Sequence, residues 1–258
     1  MEKNEKLKVG IFALTSCQGC MWNILNLEHN LIELMKLVNI AHFELIKKKN
    51  EEGPFDVALI EGCITTEEEQ QQAIKIREKS KFVIAFGTCA TYGGVPTIRN
   101  FLDLHDQIEA LPPNPLFLKQ IAARGIDAFI KVDYFMRGCP IDKRDFINVM
   151  KDLVVGKKPK QITHNVCFEC RQKENICLLQ KGEPCMGPIT YAGCNALCPS
   201  HSIPCYGCFG PMEDANLDAE IELFKKCGLT TDDIKRYFRT FAGTSKVFKK
   251  FNEEVVKQ

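Results

Sequence analysis

The stretch Val9–Leu27, VGIFALTSCQGCMWNILNL, decides the fold. The apolar run around its start, Leu7–Leu14, suits a strand buried on both faces of a sheet. From Met21 onward apolar residues recur at helical spacing. Ile24, Leu27, Leu31, Leu34 and Leu37 predict a helix over Met21–Leu37. Between the two lies Thr15-Ser16-Cys17-Gln18-Gly19-Cys20. This is the strand-to-helix turn in which a doubly wound α/β protein places a phosphate-binding loop, and here it carries two thiols.

The alternation continues outward. Ala41–Ile46 and Phe55–Ile60 read as second and third strands. Thr65 or Thr66 caps an acidic helix running through Lys79, with Glu67, Glu68 and Glu69 in the first turn, where the helix dipole favours them. Phe82–Phe86 and Phe129–Tyr134 read as fourth and fifth strands, and Asp142–Val155 as a closing helix. Pro112-Pro113-Asn114-Pro115 predicts a surface excursion between those last two strands. Strands alternating with helices imply a parallel sheet covered on both faces, an α/β domain of flavodoxin-like type over residues 1–156.

After Gly156 the character changes. Residues 160–212 hold eight cysteines, many Gly and Pro, and little periodicity. A segment of this kind lacks the apolar residues for an ordinary core and needs metal to order it. Residues 215–258 return to helical patterns, with a capped start at Thr230 or Thr231. The expectation is a second, irregular and cysteine-rich domain over 157–258 that ends in helices.

Composition limits the function. The net charge of +1 offers no electrostatic case for nucleic acid or an anionic membrane. No apolar stretch is long enough to span a bilayer. No secretory or twin-arginine leader precedes the first strand, so the expected location is cytoplasmic. Fourteen cysteines in 258 residues fall below the density of a disulfide scaffold, and in a reducing compartment clustered thiols point to metal.

The first cysteine set follows from strand order. Ligands in an open α/β sheet bind beyond the carboxyl ends of the strands. Cys17 and Cys20 follow the first strand, Cys89 the fourth and Cys139 the fifth, each beside glycine (Gly19, Gly87, Gly93, Gly94, Gly138). Glycine lets backbone approach a bulky inorganic group. Cys139-Pro140 matches the Cys-Pro ending of ferredoxin-type ligation, while four cysteines also suit zinc. A thioredoxin-type dithiol explains Cys17 and Cys20 but leaves Cys89 and Cys139 without a role. Cys63, after the third strand, lies on the same edge and reads as a buried free thiol.

The remaining ladder supplies two further sets of four. The local partition is Cys167, Cys170, Cys177, Cys185 and then Cys194, Cys198, Cys205, Cys208; an interleaved partition is the competitor. Cys227 is left over in a helical stretch and reads as structural. His164 and His201 stand near these sets and read as surface groups rather than ligands. Ser16 and Thr88, each directly before a ligand, read either as hydroxyl donors to sulfur or as turn caps.

Together TSCQGC, GTCATYGG, GCP and the run VCFECRQKENICLLQKGEPCMGPITYAGCNALCPSHSIPCYGCFGP resemble the small subunit of nickel–iron hydrogenases. The resemblance covers nearly the whole chain. It is nearest the cytoplasmic NAD(P)-linked or sulfhydrogenase type, with deazaflavin- and heterodisulfide-linked relatives close by. It implies three 4Fe–4S clusters: proximal on Cys17, Cys20, Cys89 and Cys139, medial on Cys194, Cys198, Cys205 and Cys208, distal on Cys167, Cys170, Cys177 and Cys185. In periplasmic relatives the positions of Cys198 and Cys167 are often proline and histidine, so cysteine at both implies four irons and all-thiolate ligation here.

The implied role is electron transfer. A large subunit holds the nickel–iron centre, further iron–sulfur or flavin subunits take the electrons, and the isolated chain does not act on hydrogen. Trp22, Met21 and Tyr92 are candidates for the large-subunit interface or, equally, for the core. Glu61, at the end of the third strand, reads as a surface carboxylate or as part of a proton path. Two other readings compete: a single-cluster quinone-reductase relative and a zinc-stapled interaction protein.

Overall fold

The computed structural model describes residues 6–102 and 120–254. The proline-rich excursion at 112–115 lies outside them. The described residues fall into two compact units that divide between Gln161 and Ile162.

The first unit is built on five parallel strands. They are β1 (Leu7–Ala13), β2 (Val38–Phe43), β3 (Phe55–Glu61), β5 (Ser80–Phe86) and β7 (Tyr134–Met136), in the order β2-β1-β3-β5-β7. Taken in chain order this is the 2-1-3-4-5 arrangement of a flavodoxin-like sheet. β4 (Ile64–Thr66) and β6 (Gln120–Arg124) pair antiparallel as a separate small sheet. The helices are α1 (Gly19–Leu25), α2 (His29–Leu37), α3 (Glu67–Glu78), α4 (Thr88–Tyr92) and α5 (Lys143–Val154).

Two apolar cores cover the two faces of the sheet. One joins Ile11, Leu59, Ile84 and Phe86 to Met21 and Ile24 of α1 and to Phe146, Val149 and Met150 of α5. The other joins Phe12, Ala58, Ile60, Val83 and Ala85 to Ala73 and Ile76 of α3. Alternate strand residues thus point to opposite helix layers, as a doubly covered parallel sheet requires.

Three elements differ from the sequence reading. The helix over Met21–Leu37 is two helices, because Glu28 adopts φ 53° between them and α2 buries no residue. The second strand starts at Val38 rather than Ala41. The fifth strand is Tyr134–Met136, at the far end of the apolar run Phe129–Tyr134.

The last shift has a cause in Asp133. Its carboxylate accepts the Val83 N–H at 2.8 Å and an Arg77 guanidinium N–H, while its own N–H donates to Val83 O at 2.9 Å. A side chain therefore closes the ladder where a strand residue would otherwise pair. Burial works against the Asp133 charge, but the Val83 amide and Arg77 outweigh it and hold the carboxyl below its ordinary value of 3.8. A depressed folded-state pKa gives stability that is complete above the ordinary value and is lost as pH falls through the folded one. Asp133→Ala should cost about 2–4 kcal/mol at neutral pH in denaturant titration and should flatten the acid limb of the stability profile. An unchanged midpoint would remove Asp133 from this role.

The second unit carries α6 (Val166–Gln172), α7 (Leu217–Lys226), α8 (Thr231–Ala242) and α9 (Lys246–Glu254) around irregular loops. Thr230 opens α8 with a capping box closed by Asp233. Phe224, Ile234, Phe238 and Phe248 are buried, and the Phe238 and Phe248 rings stack at 4.6 Å. The helices thus supply the apolar core that the cysteine-rich loops lack. Among the described residues no helix is long and apolar enough to cross a membrane.

Candidate metal centre

Three loops meet beyond the carboxyl ends of β1, β5 and β7, and backbone hydrogen bonds join them. Gly87 N–H donates to Met136 O at 2.8 Å and Thr88 N–H to Gly138 O at 2.9 Å. Gly138 N–H donates in return to Thr88 Oγ1 at 3.0 Å. Asn23 Nδ2 of α1 donates to Ile141 O at 2.8 Å. Thr88 is therefore a loop tie, and Ser16 Oγ accepts Gln18 N–H at 3.1 Å as a turn cap.

Glu61 is the residue that the sequence reading misplaced. It is 2% exposed, not a surface carboxylate. Gln18 precedes α1 in a left-handed conformation and its side chain caps nothing. The Glu61 carboxylate caps instead, accepting Cys20 N–H at 3.2 Å and Met21 N–H at 2.9 Å. Burial pushes the Glu61 carboxyl up, and these amides together with Ser16 oppose the shift. A long-range cap leaves no local sequence signal, since Glu61 lies some forty positions from the helix it serves.

Cys89 and Cys139 lie within electrostatic reach of each other and of both Cys17 and Cys20. Burial and the Glu61 charge push the Cys20 thiol far above its ordinary value. Burial, then neighbouring thiols with Cys63 first, push Cys89 up to about 12. A bound metal reverses the balance, because a coordinating thiol is deprotonated outright.

Glycine backbone lies close against three of the sulfurs. A Cβ on Gly87 would stand 2.5 Å from Cys20 Sγ, one on Gly94 2.6 Å from Cys89 Sγ, and one on Gly19 3.2 Å from Cys17 Sγ. Side chains there would fill the cradle. Among the described residues no three His, Cys, Asp or Glu side chains are grouped to hold one metal ion.

Cys63 is fully buried, and its thiol lies 3.5 Å from Thr15 O. Met21 is fully buried in the core, whereas Trp22 is 54% exposed. Of the interface candidates Met21 is thus a core residue. The Tyr92 hydroxyl accepts from Arg137 Nε at 2.9 Å.

In the second unit Asn165 caps α6, which sets Cys167 and Cys170 three residues apart. Cys167, Cys170, Cys177 and Cys185 interact electrostatically as one group. Cys194 couples to Cys198, and Cys205 to Cys208 and Cys194. Cys205 also lies within electrostatic reach of Cys185, across the local partition. The two groups touch where Cys205 N–H donates to Cys185 Sγ at 3.2 Å. Glu169, inside the first group's helix, braces the second group's loop by accepting Gly193 N–H at 3.0 Å and Ala196 N–H at 2.9 Å. The His164 ring packs on Phe168, and His201 Nδ1 pairs with Leu197 O at 2.9 Å.

Comparison with known proteins places this geometry in context. The family model described as NADH ubiquinone oxidoreductase, 20 Kd subunit, matches residues 17–153. Sulfhydrogenase 2 subunit delta of Pyrococcus furiosus is 36% identical over 92% of this chain and 99% of that protein. One subunit of the F420-non-reducing hydrogenase vhu of Methanocaldococcus jannaschii is 36% identical over 82% of this chain and 84% of its own length. Among solved structures, an Ni-Fe-Se hydrogenase from Desulfomicrobium baculatum matches with TM-score 0.57 at 19% identity, covering 85% of this chain and 99% of that one. An NAD+-reducing [NiFe]-hydrogenase matches with TM-score 0.55 at 24% identity, covering 61% and 96%. At such identities the structures speak for the fold alone.

Proposed function

Because this chain belongs to the NADH ubiquinone oxidoreductase 20 Kd subunit family, and within it to the small subunits of hydrogenases, we propose that it is the electron-transfer subunit of a cytoplasmic nickel–iron hydrogenase. In this reading a large subunit holds the nickel–iron site and covers the sheet edge that bears Cys17, Cys20, Cys89 and Cys139. A further iron–sulfur or flavin subunit exchanges electrons with the second unit. The observation that carries the proposal is the convergence of four thiols from three loops in a glycine-lined cradle.

The residues divide the work. Cys17, Cys20, Cys89 and Cys139 would hold the proximal cluster, Cys194, Cys198, Cys205 and Cys208 the medial, and Cys167, Cys170, Cys177 and Cys185 the distal. When bound, such clusters take up and release single electrons at potentials set by ligation, hydrogen bonds to sulfur and solvent exposure. Glu61 fixes the start of α1 and with it the positions of Cys20 and Met21. Gly87 and Gly94 keep the space beside Cys20 and Cys89 clear.

Iron and acid-labile sulfide analysis of the anaerobically purified complex tests the reading. About twelve irons assigned to this chain, with matching sulfide, is the expected result. About four would favour a single-cluster quinone-reductase relative, and zinc without sulfide an interaction protein. The second unit lies beyond the stretch that the family model matches, whereas the hydrogenase relatives extend over it. That extension favours the hydrogenase reading over the quinone-reductase one.

A further inference from the structure

The loop between Cys194 and Cys198 holds an unfavourable shape. Asn195 and Ala196 are successive non-glycine residues in the left-handed region, at φ 55° and 48°. Such backbone lasts only where its surroundings enforce it. Ala196 is fully buried, so its N–H needs a partner inside the protein.

The enforcing groups come from one stretch far along the chain. Glu169 stands in the first turn of α6, between Cys167 and Cys170. A carboxylate there ordinarily serves only the helix dipole. Both oxygens of this one are engaged elsewhere. Oε1 accepts Gly193 N–H at 3.0 Å and Oε2 accepts Ala196 N–H at 2.9 Å, so the two bonds bracket Cys194. Asn175 adds a second tie. Its N–H donates to Cys170 O at 3.2 Å, and its Nδ2 donates to Ser200 Oγ at 3.1 Å. Ser200 Oγ donates in turn to Ala196 O at 2.8 Å. The segment bearing Cys170 thus grips Ala196 by both its N–H and its carbonyl.

We propose that Glu169 is a positioning residue for the metal site that includes Cys194: it fixes the loop presenting Cys194 and Cys198 from the helix that bears Cys167 and Cys170, so that one site keeps its iron through a side chain carried by the other. The inference rests on the reading that the second unit holds two iron–sulfur clusters in the local partition. Hydrogen bonds from backbone N–H to a carboxylate are among the stronger ones. Without them Ala196 N–H is left buried and unpaired, and the loop is released from its left-handed shape. Cys194 then leaves its place in the site. Groups that orient ligands without touching the metal govern how firmly it is held.

The experiment uses EPR of the anaerobically purified, reduced complex, with two signals identified as those that Cys194→Ser and Cys177→Ser remove. The reading is the rate at which each decays in excess bathophenanthroline, an iron chelator. In Glu169→Ala the Cys194-dependent signal should decay roughly tenfold faster than in the native complex. Glu169→Gln keeps one acceptor oxygen and should restore the rate to within about threefold of native. The Cys177-dependent signal should keep its native rate in both variants, because alanine is a good helix former and α6 retains its Asn165 cap. Should Glu169→Ala be isolated with the Cys177-dependent signal but without the other, the proposal is supported outright. An unchanged rate in Glu169→Ala overturns it. So does equal acceleration of both signals, which would mean general loosening of the second unit. One signal lost in both cysteine variants would place these thiols on a single cluster and overturn the coupling. No signal lost in either would refute the clusters themselves, and the proposal with them.

Discussion

Replacing Cys139 by serine should remove one cluster and leave the rest. Cys139 follows β7 and is presented by a loop tied to Thr88 and α1 through Gly138 and Ile141. The ties use backbone atoms and neighbouring side chains, so the loop stays in place when the sulfur is lost. Serine offers a hard oxygen in place of a soft thiolate and binds iron–sulfur clusters less well. Iron should fall from about twelve to about eight per chain, and the proximal signal should vanish from EPR spectra. The second unit's signals should persist, because its eight candidate ligands lie at 167–208. An unchanged proximal signal would take Cys139 out of the site.

Gly87→Ala should have an effect of similar size by a different route. Gly87 has φ +88° and ψ 169°, a region essentially confined to glycine that costs another residue roughly 1–3 kcal/mol. Its new Cβ would also meet Cys20 Sγ at 2.5 Å, closer than such atoms approach. The backbone cannot retreat, because Gly87 N–H is bonded to Met136 O and Gly87 O accepts from Thr91. Cys20 must then move out of the cradle. Loss of the proximal signal with a fall in stability of at least about 2 kcal/mol is expected. Gly156→Ala is the control: φ is +75° and nothing lies within 4 Å of the added Cβ. It should show only the strain, about 1–2 kcal/mol, with full iron content. If both variants keep the proximal signal, the cradle is roomier than the geometry implies.

Much of the site was legible because its signals are local. TSCQGC sits between a strand and a helix and is read from its neighbours. The glycines beside Cys89 and Cys139 mark close approach before any coordinate is known.

The misreadings share a cause. Helical periodicity runs through Glu28 unbroken, but the chain turns there with φ 53°, and a pattern of apolar residues does not register one backbone angle. The apolar run at Phe129 looks like a strand. The sheet takes only its end, because the Asp133 side chain occupies Val83 N–H before the backbone ladder begins.

The sequence by itself determined the alternation of strands and helices, the glycine-bounded thiol loops and the number of candidate ligands, because each is written in residues a few positions apart. Only the tertiary structure decided that Glu61 caps the helix bearing Cys20, that Met21 is core while Trp22 is exposed, and that Glu220 is buried. Those facts depend on which segments the sheet order and helix packing bring together. A carboxylate has the same local pattern whether it meets water or the end of a distant helix.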